Sequence, residues 1–487
     1  MTTQPFSRIQ IARLEGRAQS VRLRQSLFHS LHAALIASEG TIKRAIAADT
    51  GSSDADSSFE YSLALSELRT HYESLDLKTE VERAHTLENP SGTTNLGIVY
   101  LIPAQRNPFY SILSPLCAAL AGGNCVVLEL PPTLSQVSSV LRKLLSEALD
   151  ADIFAISDNR PPEPFLSQCH VVTQVEEQSR PISTSASSLT SRPSATTVAI
   201  IDRTADIKAA AKSIALGTHL FQGRSHYAPD ILFISEWVAN EVLVHLVREV
   251  ATPTAATKRA SPTANGHANG PPTKPKPDIR AQALRNFESK EGCKVVVSGE
   301  HGSVVEITSR DAGLLGCKTD GPVTVIYRVS SLDDAIDLSN GLGTPLDALY
   351  IFATPEEASY TSRYIDARVS YINHIPVELL VGPSAPLHPT IPTTATPRYT
   401  PEMFRQPQPR IATASDLSKS VLEDSKVPMQ QKLSSWSQAA ARPLPPTGQG
   451  DGKALGFFDA AFLLFGGTLV SAIGTGVFFA VRHWRRR

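Results

Sequence analysis

The stretch GIVYLIPAQRNPFYSILSPLCAALAGGNCVVLEL, Gly97 to Leu130, decides the fold class. It opens and closes on unbroken apolar runs, Gly97–Ile102 and Cys125–Leu130. A half-exposed strand would alternate apolar and polar residues, so these runs fit strands buried on both faces, as in a parallel sheet. Between them FYSILSPLCAALAGG reads as a helix ended by Gly122 and Gly123, because glycine stops a helix at little steric cost. The alternation continues with an amphipathic helix over Ser135–Leu149 and a strand over Ile153–Ile156. It resumes with a strand at Thr197–Asp202, a helix at Ile207–Gly217, the strand ILFIS and the helix EWVANEVLVHLVREV. VTVIYR, a helix around LDDAIDLSN, ALYIFA and VSYINH complete a second block. Strands and helices taking turns in this way predict an α/β fold with doubly wound sheets.

Before the first strand, Leu14 to about Asp49 reads as helix, with Leu23, Leu27, Leu31 and Leu35 four apart. A turn at TGSSDADSS precedes a second helix carrying Leu63, Leu65 and Leu68. The pattern breaks down between Pro161 and Pro193. Residues 252–278, rich in Pro, Ala, Gly and Thr, read as a disordered insertion. The expected organisation is residues 1–196 as N-terminal helices and a cofactor-binding-like domain, and 197–400 as a catalytic-like domain. A linker over 401–458 follows, with a short amphipathic helix around VPMQQKLSSWSQAA, then a span over 459–482 and a basic tail over 483–487.

A chain of 487 residues with 41% hydrophobic and 19% charged residues belongs to a globular protein of two or three domains. A net charge of −1 gives no drive toward nucleic acid. Five cysteines without a C-x-x-C pair argue against a disulfide framework or a zinc site. MTTQPFSRIQIARLEGR lacks the apolar core of a signal peptide. From Ala460 to Val481 no residue carries a formal charge, and RHWRRR follows. At 1.5 Å per residue this run spans about 33 Å, enough for a bilayer core of about 30 Å. The expectation is a tail-anchored protein whose body stays in the cytosol. The basic tail alone would favour the opposite orientation, but a large folded body needs a route across the membrane. The endoplasmic reticulum is the first expectation, with the outer mitochondrial and peroxisomal membranes as alternatives.

Four stretches resemble the aldehyde dehydrogenase superfamily in the correct order. NLGIVYLIPAQRNPFYSILSPLCAALAGGNCVVLELPPTLS resembles the segment with the family's Trp-Asn-x-Pro-Phe motif. AIIDRTADIKAAAKSIALGTHLFQGRSHYAPDILF is similar to the segment that leads to the nucleophilic cysteine. GPVTVIYRVSSLDDAIDLSNGLGTPLDALYIFAT resembles the part after the Glu-x-Phe-Gly-Pro motif, and RYTPEMFRQPQP the end of the fatty aldehyde dehydrogenase type. That type also ends in a membrane anchor. The resemblance implies a Rossmann-type cofactor-like domain beside an α/β catalytic-like domain, and the family's chemistry. There, a thiolate attacks the aldehyde, amide groups hold the oxyanion, hydride passes to NAD(P), and a glutamate activates water.

Carried over one at a time, the roles fall on different residue types. The nucleophile's position is His226, and the oxyanion asparagine's is Arg106, with Gln105 in the tryptophan's place. The general-base glutamate falls near Arg192. The lysine that holds the adenosine ribose falls on Glu129, and the glutamate that holds the nicotinamide ribose on Lys318, with Asp320 in the phenylalanine's place. Where the family has a Gly-Ser-Thr turn, this chain carries Glu176 and Glu177. Pro108, Phe109, Gly123, Asn124, Pro229, Gly321, Pro322 and Asn373 match. The expectation is a regulatory or scaffolding pseudoenzyme without a bound cofactor, as a homodimer or paired with an active relative. The alternative is an active oxidoreductase that uses NAD or NADP at a rearranged site, with His226 as nucleophile or base.

Overall fold

The computed structural model describes residues 5–175, 188–192, 194–251, 279–299, 302–342, 345–384, 386, 397–422 and 428–445. The expected insertion at 252–278, Glu176, Glu177 and the apolar span at 459–482 lie outside the described residues. Among those described, no helix is long and apolar enough to cross a membrane. The chain divides into two compact units, up to Ile411 and from Ala412 onward.

Among the described residues the first unit carries fourteen strands. In chain order the first six are β1 (Thr93–Asn95), β2 (Ile98–Ile102), β3 (Cys125–Glu129), β4 (Phe154–Ser157), β5 (His170–Thr173) and β6 (Ser188–Thr190). β7 (Thr197–Ile201), β8 (Ile231–Ser235), β9 (Cys293–Ser298) and β10 (Ser303–Ile307) follow. The last are β11 (Val323–Val329), β12 (Ala348–Phe352), β13 (Ser370–Ile372) and β14 (Arg405–Pro407). One sheet has the order β4-β3-β2-β5-β6 and is parallel throughout. The other has the order β13-β12-β7-β8-β11-β10-β9, and only β9 runs antiparallel.

Burial explains why the apolar runs are unbroken. Along β7, Val198 and Ile200 enter one core, while Ala199 and Ile201 enter the other. Because side chains alternate across a strand, both faces of this sheet need apolar cover. The helix Pro108–Ala121 packs in the larger core, buried from Phe109 to Ala121. Pro108 stands at its first position, where the missing N–H is no loss.

Asn124 shows why a turn residue is retained. Its Oδ1 accepts from the N–H groups of Leu96 (2.8 Å) and Gly97 (3.0 Å). Its Nδ2 donates to the carbonyls of Ala119 and Phe404, both at 3.0 Å. Asn373, with φ of 62°, likewise exchanges two 3.0 Å hydrogen bonds with the backbone of Ala353.

The single helix expected from Leu14 to about Asp49 is instead two, Val21–Ala37 and Glu39–Thr50, preceded by a shorter helix at Ser7–Leu14. Gly16 (φ of 65°) turns the chain after the shorter helix, and Ser20 caps Val21–Ala37 by accepting from Leu23 N–H. Ser38 (φ −106°, ψ 7°) leaves helical geometry, a place where Ser and Gly neighbours commonly kink a helix. The next helix, Asp54–Glu73, starts on a capping box between Ser53 and Asp56. β1 and β14 pair antiparallel, so the chain near residue 407 returns to residue 93. In the second unit are the helices Asp416–Leu422 and Met429–Ala440; the latter covers the expected amphipathic segment.

Candidate functional site

The loop that carries His226 begins with strained backbone. After the helix Ile207–His219, the successive residues Phe221 (φ 53°), Gln222 (φ 58°) and Gly223 (φ 66°) are all left-handed. Two non-glycine residues in that region cost about 1–2 kcal/mol each, so their surroundings must over-determine them. Phe221 stacks on Phe59 with ring centroids 6.1 Å apart. Gln222 Nε2 donates to Gly51 O at 2.5 Å. Gly223 lies so close to the next segment that a Cβ there would meet Gly321 O at 2.3 Å. The loop is therefore fixed between the N-terminal helices and the turn Lys318–Pro322.

His226 itself is buried. Its carbonyl accepts from Thr197 Oγ1 (3.2 Å) and from Lys318 Nζ (2.8 Å). Lys318 Nζ also donates to Ala195 O (2.8 Å) and to Asp230 Oδ2 (2.9 Å). An ammonium has three N–H donors and no acceptor, so all three are engaged. Asp230 is buried too, and accepts from Thr197 N–H (2.8 Å) and Thr319 N–H (3.1 Å) as well. Burial pushes its carboxyl upward, while the Lys318 ammonium and the two N–H groups act against that. At the position where the resemblance places an acceptor for ribose hydroxyls, this chain has a cation held by its own fold.

Arg106 joins the same centre from the other sheet. Its Nη2 lies 3.0 Å from Asp320 Oδ2, and its Nη1 donates to Arg224 O at 3.4 Å. Arg224 Nε lies 3.5 Å from Asp320 Oδ1, an ion pair without hydrogen-bond geometry. Two guanidinium groups thus share one carboxylate, and all three side chains are partly exposed. Arg106, His226 and Lys318 are brought together. Glu129 is engaged elsewhere, accepting from the Tyr100 hydroxyl, whose phenol is held above its usual range by burial and by that carboxylate. Arg192 is exposed beyond the end of β6, and its carbonyl closes a turn to Ala195 N–H.

Three of the five cysteines are poorly placed to act as nucleophiles. Cys117, Cys125 and Cys169 are buried, and desolvation raises all three thiols, those of Cys125 and Cys169 to about 12. A thiol so raised supplies almost no thiolate near neutrality. Among the described residues no group of His, Cys, Asp or Glu is placed to hold a metal.

Two features were not expected from the sequence. Asp230 stands immediately before β8, which is buried throughout, and a carboxylate there implies a buried cation; that signal was present in the residues APD. The second is a polar cluster around the helix Pro108–Ala121. Tyr110 donates its hydroxyl to Glu67, which pairs with Arg398 at 3.1 Å. Glu60 accepts from Tyr110 N–H at 3.1 Å. A small cavity beside Tyr227 is lined by Tyr110, Ser114, Glu378, Arg398 and Tyr399, among others.

Comparison with known proteins fits this architecture. The family model described as "Aldehyde dehydrogenase family" matches residues 10–161 and 171–383. The chain is 25% identical over 380 residues to "Aldehyde dehydrogenase family 3 member A2" of Mus musculus, covering 71% of this chain and 74% of that protein. It is 22% identical over 370 residues to "Aldehyde dehydrogenase, dimeric NADP-preferring" of Rattus norvegicus, covering 70% and 78%. Among solved structures, the substrate-bound state of Staphylococcus aureus AldH superposes with a TM-score of 0.66 at 17% identity, covering 90% of this chain and 99% of that one. Lactaldehyde dehydrogenase from Escherichia coli gives 0.62 at 16% identity, covering 82% and 88%.

Proposed function

The chain belongs to the aldehyde dehydrogenase family, and from that premise we propose that it is a membrane-anchored member that does not oxidise aldehydes with NAD(P) and acts as a regulatory or scaffolding protein. The observation that carries this reading is the environment of Lys318. Its three donors go to Ala195 O, His226 O and Asp230, so the position that would accept from a nicotinamide ribose is part of the fold's internal bonding. Arg106 at the oxyanion position is paired with Asp320, and Glu129 is negative where a ribose needs a donor. Each lost group of such a site is worth orders of magnitude in rate, and the losses fall on nucleophile, base and cofactor contacts together. We accordingly assign no step of the reaction to NAD(P) in this chain. A homodimer, or a heterodimer with an active relative, suits a protein that keeps the fold without the chemistry.

Thermal unfolding with NAD or NADP tests the central claim. A ligand at a hundred times its Kd stabilises by about 2.7 kcal/mol; the expected shift is none, and a clear rise with either nucleotide would overturn the proposal. The substitution His226→Cys separates loss of the nucleophile from loss of the whole site. Long-chain aldehyde oxidation by that variant would show an intact remainder. For the anchor, a fluorescent fusion lacking residues 454–487 should become diffuse, and persistence on a membrane would refute the assignment to residues 459–482.

A further inference from the structure

We propose that the space between the guanidinium groups of Arg106 and Arg224 is a binding site for a monocarboxylate, which the side chain of Asp320 fills from within the chain. The charges do not balance there. Arg106 makes the short contact to Asp320, at 3.0 Å, while Arg224 Nε stands at 3.5 Å. That Nε is buried and has no hydrogen-bond acceptor among the described residues. A buried guanidinium N–H without an acceptor is costly, and a second carboxylate oxygen placed in line would satisfy it. Lys318 does not alter the balance, because its charge is neutralised by Asp230 at 2.9 Å. The cluster of Arg106, Arg224 and Asp320 therefore keeps one net positive charge.

The class of ligand follows from what already sits there. The occupant of the gap is a carboxylate, and one nitrogen from each guanidinium, Arg106 Nη2 and Arg224 Nε, faces one of its two oxygens, a two-point contact that suits a planar carboxylate. Asp320 is an exchangeable occupant: its side chain is 47% exposed, whereas Asp230 is buried and accepts from two backbone N–H groups. The orientation of the pair is fixed, since Arg106 Nη1 donates to Arg224 O at 3.4 Å and the loop before Arg224 is held by Gln222 and Gly223. A ligand carboxylate displaces that of Asp320, which turns out to solvent. This inference rests on the reading that the centre does not oxidise aldehydes, and it adds that the centre binds the acid.

The experiment is calorimetric titration of the full chain in detergent micelles with hexanoate, hexanamide, inorganic phosphate and NAD in separate arms. Hexanoate is expected to bind, with hexanamide at least tenfold weaker for want of charge. Asp320→Asn removes the internal competitor and is expected to tighten hexanoate about tenfold. Arg224→Gln is expected to weaken it at least tenfold, and Arg224→Lys, which keeps the charge but loses the guanidinium, to fall between. The proposal is overturned if hexanoate does not bind, if hexanamide binds equally, if Asp320→Asn fails to tighten, or if phosphate binds in place of hexanoate. Should Arg224→Gln fail to fold, the Asp320→Asn arm still decides. Binding of NAD would defeat the proposed function while leaving the carboxylate result readable.

Discussion

Asp230 and Glu60 are carboxylates of equal burial, each about 1% exposed, in opposite surroundings. Asp230 has Lys318 Nζ at 2.9 Å and two backbone N–H donors. Glu60 accepts from Tyr110 N–H and lies near Asp56, whose negative charge adds to the burial that raises its carboxyl to about 7. Burial alone does not decide what a carboxylate contributes. A cation and two directed N–H groups oppose the upward push of burial and tie segments together; with one N–H and a neighbouring carboxylate the group takes up a proton near neutrality. The first arrangement holds the loop of His226 to β7 and to the turn at Lys318. The second holds two helices together and makes that contact sensitive to pH.

Removing the cation should break the contrast most strongly. Lys318→Met leaves Asp230 buried without its partner, and should cost about 3–5 kcal/mol in urea unfolding. Asp230→Asn added to it should recover part of that loss, and a purely additive double variant would refute the coupling. Next comes Glu60→Gln. Because the folded value of Glu60 is raised from 4.5 to about 7, its contribution is complete below pH 4.5 and is lost as pH rises through 7. Gln should therefore stabilise the protein at pH 8 by up to about 3 kcal/mol, at 1.36 kcal/mol per unit, and make no difference at pH 4. Parallel melting curves across that range would remove Glu60 from the account.

His71 gives the opposite sign. Burial lowers it from 6.5 to about 4, so its contribution is present above pH 6.5 and lost as pH falls through 4. Steric and ionic control of the loop can then be compared. Gly223→Ala meets both the positive φ and Gly321 O, and should cost about 2 kcal/mol, visible as a lower Tm. Arg106→Gln, in a partly exposed pair, should change stability by no more than about 1 kcal/mol. A larger loss would mean that Arg106 matters to the fold more than the buried lysine's neighbourhood suggests.

The turns were legible from the sequence because their chemistry is local. Asn373 bonds to the backbone of Ala353 beside the adjoining strand and Pro108 needs only its own helix, whereas Asn124 joins local bonds to a distant one, at Phe404 O. The apolar runs announced the sheets for a similar reason. The pairs that fill the site were not legible, because the partners lie far apart in the chain: Lys318 and Asp230 are 88 residues apart, and Arg106 and the Arg224 carbonyl 118. The resemblance pointed to Lys318 and Arg106 only as single positions. It did not reveal that each had found a partner in the fold. β9 carries a weak sequence signal, since its Val295 and Val296 are exposed at a sheet edge, where no buried face imposes a clear alternation.

The pairing of β1 with β14 has a mechanical consequence. Beyond it the Asn89–Arg410 bridge is the last contact of that ladder before Ile411, where the first unit ends. The strands are antiparallel, and Thr93 faces Pro407 while Asn95 faces Arg405. Tension applied to the chain after Ile411 meets these rungs one at a time from the Arg410 end, as in opening a zip. The bond from Asn124 to Phe404 O comes next. Loaded in this way the ladder is expected to open before the sheets, because its rungs break in succession and not together.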